Sequence, residues 1–238
     1  MPDTSTWVEP SVGSTAAFLG VVGLVLALFV WGVARVSERK GRAAGWASLA
    51  CAGWLAITGA YVAFGVTGTG VPGLMGFFLG ANLTGLLFAF SPLGTRLIDG
   101  LPLWTLAAFQ AFRLPLELVL HQWSDEGALP IQMTFEGHNF DIVTGVLGVA
   151  VLVAALTLKE VPRAALWAFN VVGSALLLAV IVIVVLSSPL PVKSYEGPPI
   201  LLALFLPYAW IAPVCVAGAL SAHVMLWRAL LRGAKSEL

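Results

Sequence analysis

Charge is what this sequence has least of. Of its 238 residues, 12 are Lys or Arg and 12 are Asp or Glu, together 10%, whereas a soluble domain carries roughly 25%. That shortage excludes an ordinary soluble domain. Cysteine is nearly absent too. Cys51 and Cys215 both fall inside apolar runs, which excludes a disulfide framework and a CxxC metal site. Long polar connections are also missing. The longest, 124–140, is too short to hold a core of its own. There is no phosphate-cradling glycine loop, no dinucleotide fingerprint and no basic patch for nucleic acid; the few cations are scattered over short turns.

What fills the chain is apolar sequence, 59% hydrophobic overall. Seven runs approach the about 20 residues that cross a bilayer as a helix: 15–36, 44–66, 72–93, 102–123, 141–158, 163–187 and 198–230. The runs are continuous rather than alternating, which argues against a β-barrel. The expected fold is an all-α, single-domain polytopic bundle of seven transmembrane helices in contact with the lipid bilayer. Trp46 is expected at headgroup depth. Asn82, near the middle of the third run, is expected to hydrogen-bond a neighbouring helix.

Lys and Arg flanking the runs set orientation, with the excess inside. With the N-terminus outside, Arg35, Arg39, Lys40, Arg42, Arg96, Lys159, Arg163, Arg228, Arg232 and Lys235 fall inside, and Lys193 falls outside. The acids Asp3, Glu9, Asp125, Glu126, Glu136, Asp141 and Glu196 fall outside. The expected location is a bacterial inner membrane, N-terminus extracytoplasmic and C-terminus inside. The opening MPDTSTWVEPS has no Lys or Arg, so the first run is expected to be a retained helix rather than a secretory signal.

The stretch 109–141, FQAFRLPLELVLHQWSDEGALPIQMTFEGHNFD, departs from this pattern. At ~100° per residue, Gln110, Arg113, Glu117 and His121 share a stripe about 80° wide on the fourth run. Pro115 is expected to bend the helix there. Charges at membrane depth are costly and face one another or a wet cavity. One reading is an Arg113–Glu117 pair at i, i+4, capped by His121. The other is an outward-facing ligand site made by Arg113, Glu117, His121, Glu136, His138, Asn139 and Asp141. ALPIQMTF is apolar enough to dip back into the membrane between them.

Glu117, His121, Glu136, His138 and Asp141 offer oxygen and imidazole ligands for a metal of the Zn, Mn or Fe type, but at spacings that are not diagnostic. Arg113 instead suits a proton-coupled or anionic-ligand site. Retinal is argued against because Lys40, Lys159, Lys193 and Lys235 all lie in loops or tails. Haem is argued against because His121 and His223 are expected near opposite faces of the membrane.

FRLPLE and MTFEGHNFD resemble segments of a group of uncharacterised bacterial multi-spanning membrane proteins. The resemblance covers this stretch and implies a membrane fold, with no activity attached. Three functions therefore stay open. The first is a membrane protein binding a small polar ligand or ion, for sensing or transport. The second is a metal-assisted membrane enzyme. The third is a structural subunit with protein partners in a larger membrane complex.

Overall fold

The computed structural model describes residues 4–233; Asp3 and Lys235, placed above on opposite sides of the membrane, lie outside them. Among the described residues the chain is helical, with no strand. Helix α1 (Val12–Arg35) begins at a cap in which Ser11 Oγ accepts from Ser14 N at 3.2 Å. A tight turn at 36–39 returns the chain as α2 (Lys40–Ala63), which packs along α1. α3 (Val71–Phe90) follows and stops where Ser91 and Pro92 open a separate short helix, α4 (Pro92–Gly100). Ser91 Oγ accepts from Gly94 N at 3.1 Å, with proline in the first turn, where its missing N–H costs nothing. The expected third run, 72–93, is therefore cut at Phe90.

The fourth run is two helices joined by a tight turn. α5 (Leu103–Phe109) leads through a 3-10 turn at Gln110–Phe112 into α6 (Arg113–Asp125). Next come α7 (Ile142–Thr157) and α8 (Arg163–Ser187). The last run departs from expectation. Residues 198–207 are not α-helical: they hold a 3-10 turn at Leu202–Leu204 and Pro198, Pro199 and Pro207, each lacking a backbone donor. The continuous last span is Tyr208–Leu231. It passes through a π-helical turn at Ile211–Val216, containing Pro213, and ends as α9 (Ala217–Leu231). Trp54 Nε1 donates to the Pro213 carbonyl at 2.9 Å.

Among the described residues, six helices have the length and composition of membrane spans: Val12–Arg35, Lys40–Ala63, Val71–Phe90, Leu103–Asp125, Arg163–Ser187 and Tyr208–Leu231. α7 is apolar but has 16 residues, about 24 Å at ~1.5 Å per residue. The apolar surface is what a bilayer takes as solvent: Trp46, Leu49, Ile57, Leu87, Val153 and Leu178 are all exposed.

Two spans form the centre. In the most apolar window of Leu103–Asp125, 56% of residues are buried, and 67% in Tyr208–Leu231, against 22–33% in the other four. α9 packs on α3, α5 and α8, and α7 lies against α5 and α6. Close approach of α7 requires glycine. A Cβ on Gly145 would sit 2.3 Å from Leu114 N, and one on Gly148 would sit 2.7 Å from Ala111 N. Asn82 makes no interhelical bond; its Nδ2 donates to the Phe78 carbonyl in its own helix at 2.8 Å. A short polar side chain can bond four residues back along its own helix, and here Asn82 Oδ1 stays without a partner.

Candidate functional site

The polar centre is built where the fourth span breaks. The 3-10 turn at Gln110–Phe112 delivers Arg113 as the first residue of α6. One helical turn later, Glu117 points to the same interior, and both are 2% exposed. Gly145 and Gly148 let α7 approach this break closely, so Asp141, at the head of α7, reaches the guanidinium. Arg113 Nε donates to Asp141 Oδ2 at 2.6 Å. Asp141 Oδ1 accepts from Thr144 Oγ1 at 3.1 Å.

The loop between α6 and α7 is folded by its own backbone. Thr134 O accepts from Gly137 N at 3.0 Å and from Asn139 N at 3.1 Å. These turns drive Asn139 fully inside. Asn139 Nδ2 faces both Glu117 oxygens, at 3.0 and 2.9 Å, and the Met133 carbonyl at 3.0 Å. Asn139 Oδ1 accepts from Asp141 N at 3.1 Å.

On its other side, Arg113 Nη1 meets His223 Nε2 at 3.2 Å. A guanidinium has no acceptor, so Nε2 must carry the lone pair. His223 is then a neutral imidazole protonated on Nδ1, and that N–H donates to Asn170 Oδ1 at 2.7 Å. Asn170 Nδ2 donates in turn to the His223 carbonyl at 3.2 Å. Glu117, Asn139, Asp141, Arg113, His223 and Asn170 thus form one hydrogen-bonded chain through α6, the loop, α7, α9 and α8. All six are 0–4% exposed. Gln110, also fully buried, donates to the Ala219 carbonyl at 3.0 Å, and its Oε1 has no partner.

Several expectations change here. Arg113 does not pair with Glu117, because docking of α7 puts Asp141 on the guanidinium first. Of the seven expected site residues, Arg113, Glu117, Asn139 and Asp141 come together. His121, Glu136 and His138 stay at the surface. His121 Nε2 lies 3.8 Å from Asp125 Oδ2 and 3.9 Å from Glu136 Oε1, with both carboxylates exposed, and its ring leans on Phe135. It therefore does not cap the buried pair. His138 is exposed and lies against Tyr195, ring centroids 5.5 Å apart. The five-residue metal set is split by this arrangement. Among the described residues, no three His, Cys, Asp or Glu side chains converge to hold an ion.

His223 and Asn170 belong to the chain but not to the expected set of seven. With the last span beginning at Tyr208, His223 stands 15 residues into it, about 22 Å along at ~1.5 Å per residue, rather than the 25 residues that a start at 198 implies. Asn170 is the one strongly polar side chain of its span, and its partner lies on another helix.

A cavity of about 90 Å³ lies beside the chain, walled by Phe112, Arg113, Glu117, Asp141, Leu177 and Ser188. That is room for about three waters at ~30 Å³ each. It continues past Leu190, Ile200 and Leu202, in the segment between α8 and the last span.

The fold and this buried centre define an α-helical integral membrane protein with ionisable groups in its interior. No protein-family model, no curated protein and no solved structure matches the chain.

Proposed function

We propose that this protein crosses the membrane seven times, with α7 as a short seventh crossing, and binds a proton or small cation at Glu117 in the course of transport or sensing. One observation carries the reading. Arg113 is taken by Asp141 at 2.6 Å, and Glu117 receives only the neutral amide of Asn139. The buried cluster therefore holds two carboxylates for one guanidinium. An uncompensated carboxylate in a membrane interior is strongly disfavoured. A proton or small cation entering through the adjoining cavity removes the imbalance. The proton adds to a Glu117 oxygen from cavity water and returns to that water on release.

The N-terminus is outside and the C-terminus inside a bacterial-type inner membrane in this reading. Lys and Arg concentrated on one set of turns support that orientation. The cavity then opens from the outer side, under the segment after α8. Arg113 and Asp141 hold α6 and α7 together around the site. His223 fixes the guanidinium and, being an acceptor there, cannot take a proton without repelling it.

The test is purified protein in liposomes that contain a pH-reporting dye. An imposed pH step should decay faster than in empty liposomes. Glu117→Gln, which keeps the shape and one acceptor for Asn139 Nδ2 but not the charge, should abolish the difference. If Glu117→Gln behaves as wild type, Glu117 carries no exchangeable ion. If the protein conducts nothing but stays folded only with Arg113 and Asp141 intact, the buried pair is a strut and the structural-subunit reading takes over.

A further inference from the structure

Two features of the Glu117 site discriminate between the ions it could take: the hydrogens that reach its oxygens, and the ligands on the cavity wall. Both oxygens accept from a single group, Asn139 Nδ2, at 3.0 and 2.9 Å. That amide carries two hydrogens, and it also faces the Met133 carbonyl at 3.0 Å. Three acceptors therefore share two hydrogens. With Met133 satisfied, one hydrogen is left for the carboxyl group. An ionised carboxylate has about four lone-pair sites to fill, whereas the neutral acid has a carbonyl oxygen that accepts and an O–H that donates. The supply of donors at Glu117 matches the neutral acid. One oxygen takes the Asn139 hydrogen and the other carries a proton.

The cavity offers a metal cation little in place of water. An alkali ion must exchange its hydration shell for protein oxygens. Besides Glu117, the side-chain oxygens on the wall belong to Asp141 and Ser188. Asp141 Oδ2 is held by Arg113 at 2.6 Å, and Oδ1 by Thr144 at 3.1 Å. Ser188 Oγ donates to the Val184 carbonyl at 2.6 Å. Leu116, Leu177 and Ile200 are typical of the rest of the wall and solvate no ion. Arg113 also lines the cavity and sets a fixed positive charge beside any metal cation. A proton needs none of these ligands, because it forms one O–H bond and leaves the side chain neutral.

We infer, on the reading of Glu117 as an ion site, that it takes a proton and excludes sodium and potassium. On binding, a hydronium in the cavity gives its proton to a Glu117 oxygen and leaves water. On release, the O–H bond breaks and the proton returns to water.

Infrared pH titration of the protein in nanodiscs, in choline, sodium and potassium chloride at equal ionic strength, tests this. Arg113, Asp141 and Cys215 share the cavity with Glu117, and His223 stands behind Arg113 at 3.2 Å. Of these, Asp141 alone gives a carboxyl band. The Glu117 band is assigned by its loss in Glu117→Gln. If that variant does not fold, Asp141→Asn assigns it, since Glu117 is then the one buried carboxyl left among the described residues. Replacing choline by sodium or potassium over about a hundredfold range should leave the midpoint pH of the wild-type band unchanged, because an ion that does not bind shifts nothing. A competing cation would lower that midpoint by about one pH unit for each tenfold excess over its Kd. Such a fall overturns the inference and leaves Glu117 an ion site of another kind. A Glu117 band missing at every pH in all three salts overturns the inference and the ion-site reading together.

Discussion

Removing Arg113 should damage this protein more than any other single charge removal. Arg113→Met keeps most of the side-chain length and leaves Asp141, 4% exposed, with only the Thr144 hydroxyl on its carboxylate. Stranding one member of a buried ion pair costs about 3–5 kcal/mol. Asp141→Asn should cost less, about 2–3 kcal/mol, because Glu117 remains near enough to Arg113 to act on it electrostatically. The double variant Arg113→Met/Asp141→Asn leaves no stranded charge in the pair, and should cost only about 1–2 kcal/mol. The singles should thus exceed the double by roughly 3 kcal/mol or more. Equilibrium unfolding in mixed micelles with a denaturing detergent, followed by helical circular dichroism, measures all four proteins. Arg42→Gln, exposed at the start of α2, is the control and should change little. Additive effects, or an Arg113→Met variant as stable as the control, would refute the pairing.

Other consequences follow from contacts at specific distances. Glu126 accepts from Ser11 N at 2.9 Å, Ser11 Oγ at 2.7 Å and Ser14 Oγ at 2.9 Å. Burial is the largest single influence and works against its charge, but these hydrogen bonds, with one from Gln122, together outweigh it and hold the carboxyl below the usual range. A depressed carboxylate stabilises above its unfolded pKa and loses that contribution as pH falls through the folded value. The melting temperature should therefore drop on acidification through and below the ordinary glutamate range, and Glu126→Gln should flatten that slope. Gly145→Leu should force α7 off Leu114 and destabilise by about 1–3 kcal/mol or more, measured in the same micelle assay. His223→Phe keeps the ring but removes the acceptor for Arg113 and the donor to Asn170, at about 1–3 kcal/mol; a His223→Phe protein as stable as wild type would contradict a stabilising role for these two contacts.

The helices were readable because little besides a membrane helix requires a long continuous apolar run. The run 163–187 coincides with α8 residue for residue. A last run starting at 198 begins ten residues before the helix does, since hydropathy does not distinguish a proline-punctuated apolar loop from a helix. That displacement also moved His223 to the wrong depth and hid its contact with Arg113. Charges in an apolar run marked Arg113 and Glu117. Spacing along one helix then suggested that they pair, while the actual partner depends on how closely α7 docks. Gly145 and Gly148 decide that approach, and nothing in the chain says which helix they meet. In the 126–141 loop, Asn139 and His138 are adjacent polar residues with opposite fates. Turns around Thr134 set which one faces inward, and these are tertiary facts rather than compositional ones.

Glu117, if it binds an ion, is a buried carboxyl group that carries an exchangeable proton or cation. Infrared difference spectra of the purified protein, taken as bulk pH is stepped, read that group directly. A protonated carboxylic C=O band should appear and vanish with pH, persist in Asp141→Asn and be missing from Glu117→Gln. A band that survives Glu117→Gln unchanged would contradict the account, as would the absence of any carboxyl signal at every pH together with no displacement by monovalent cations.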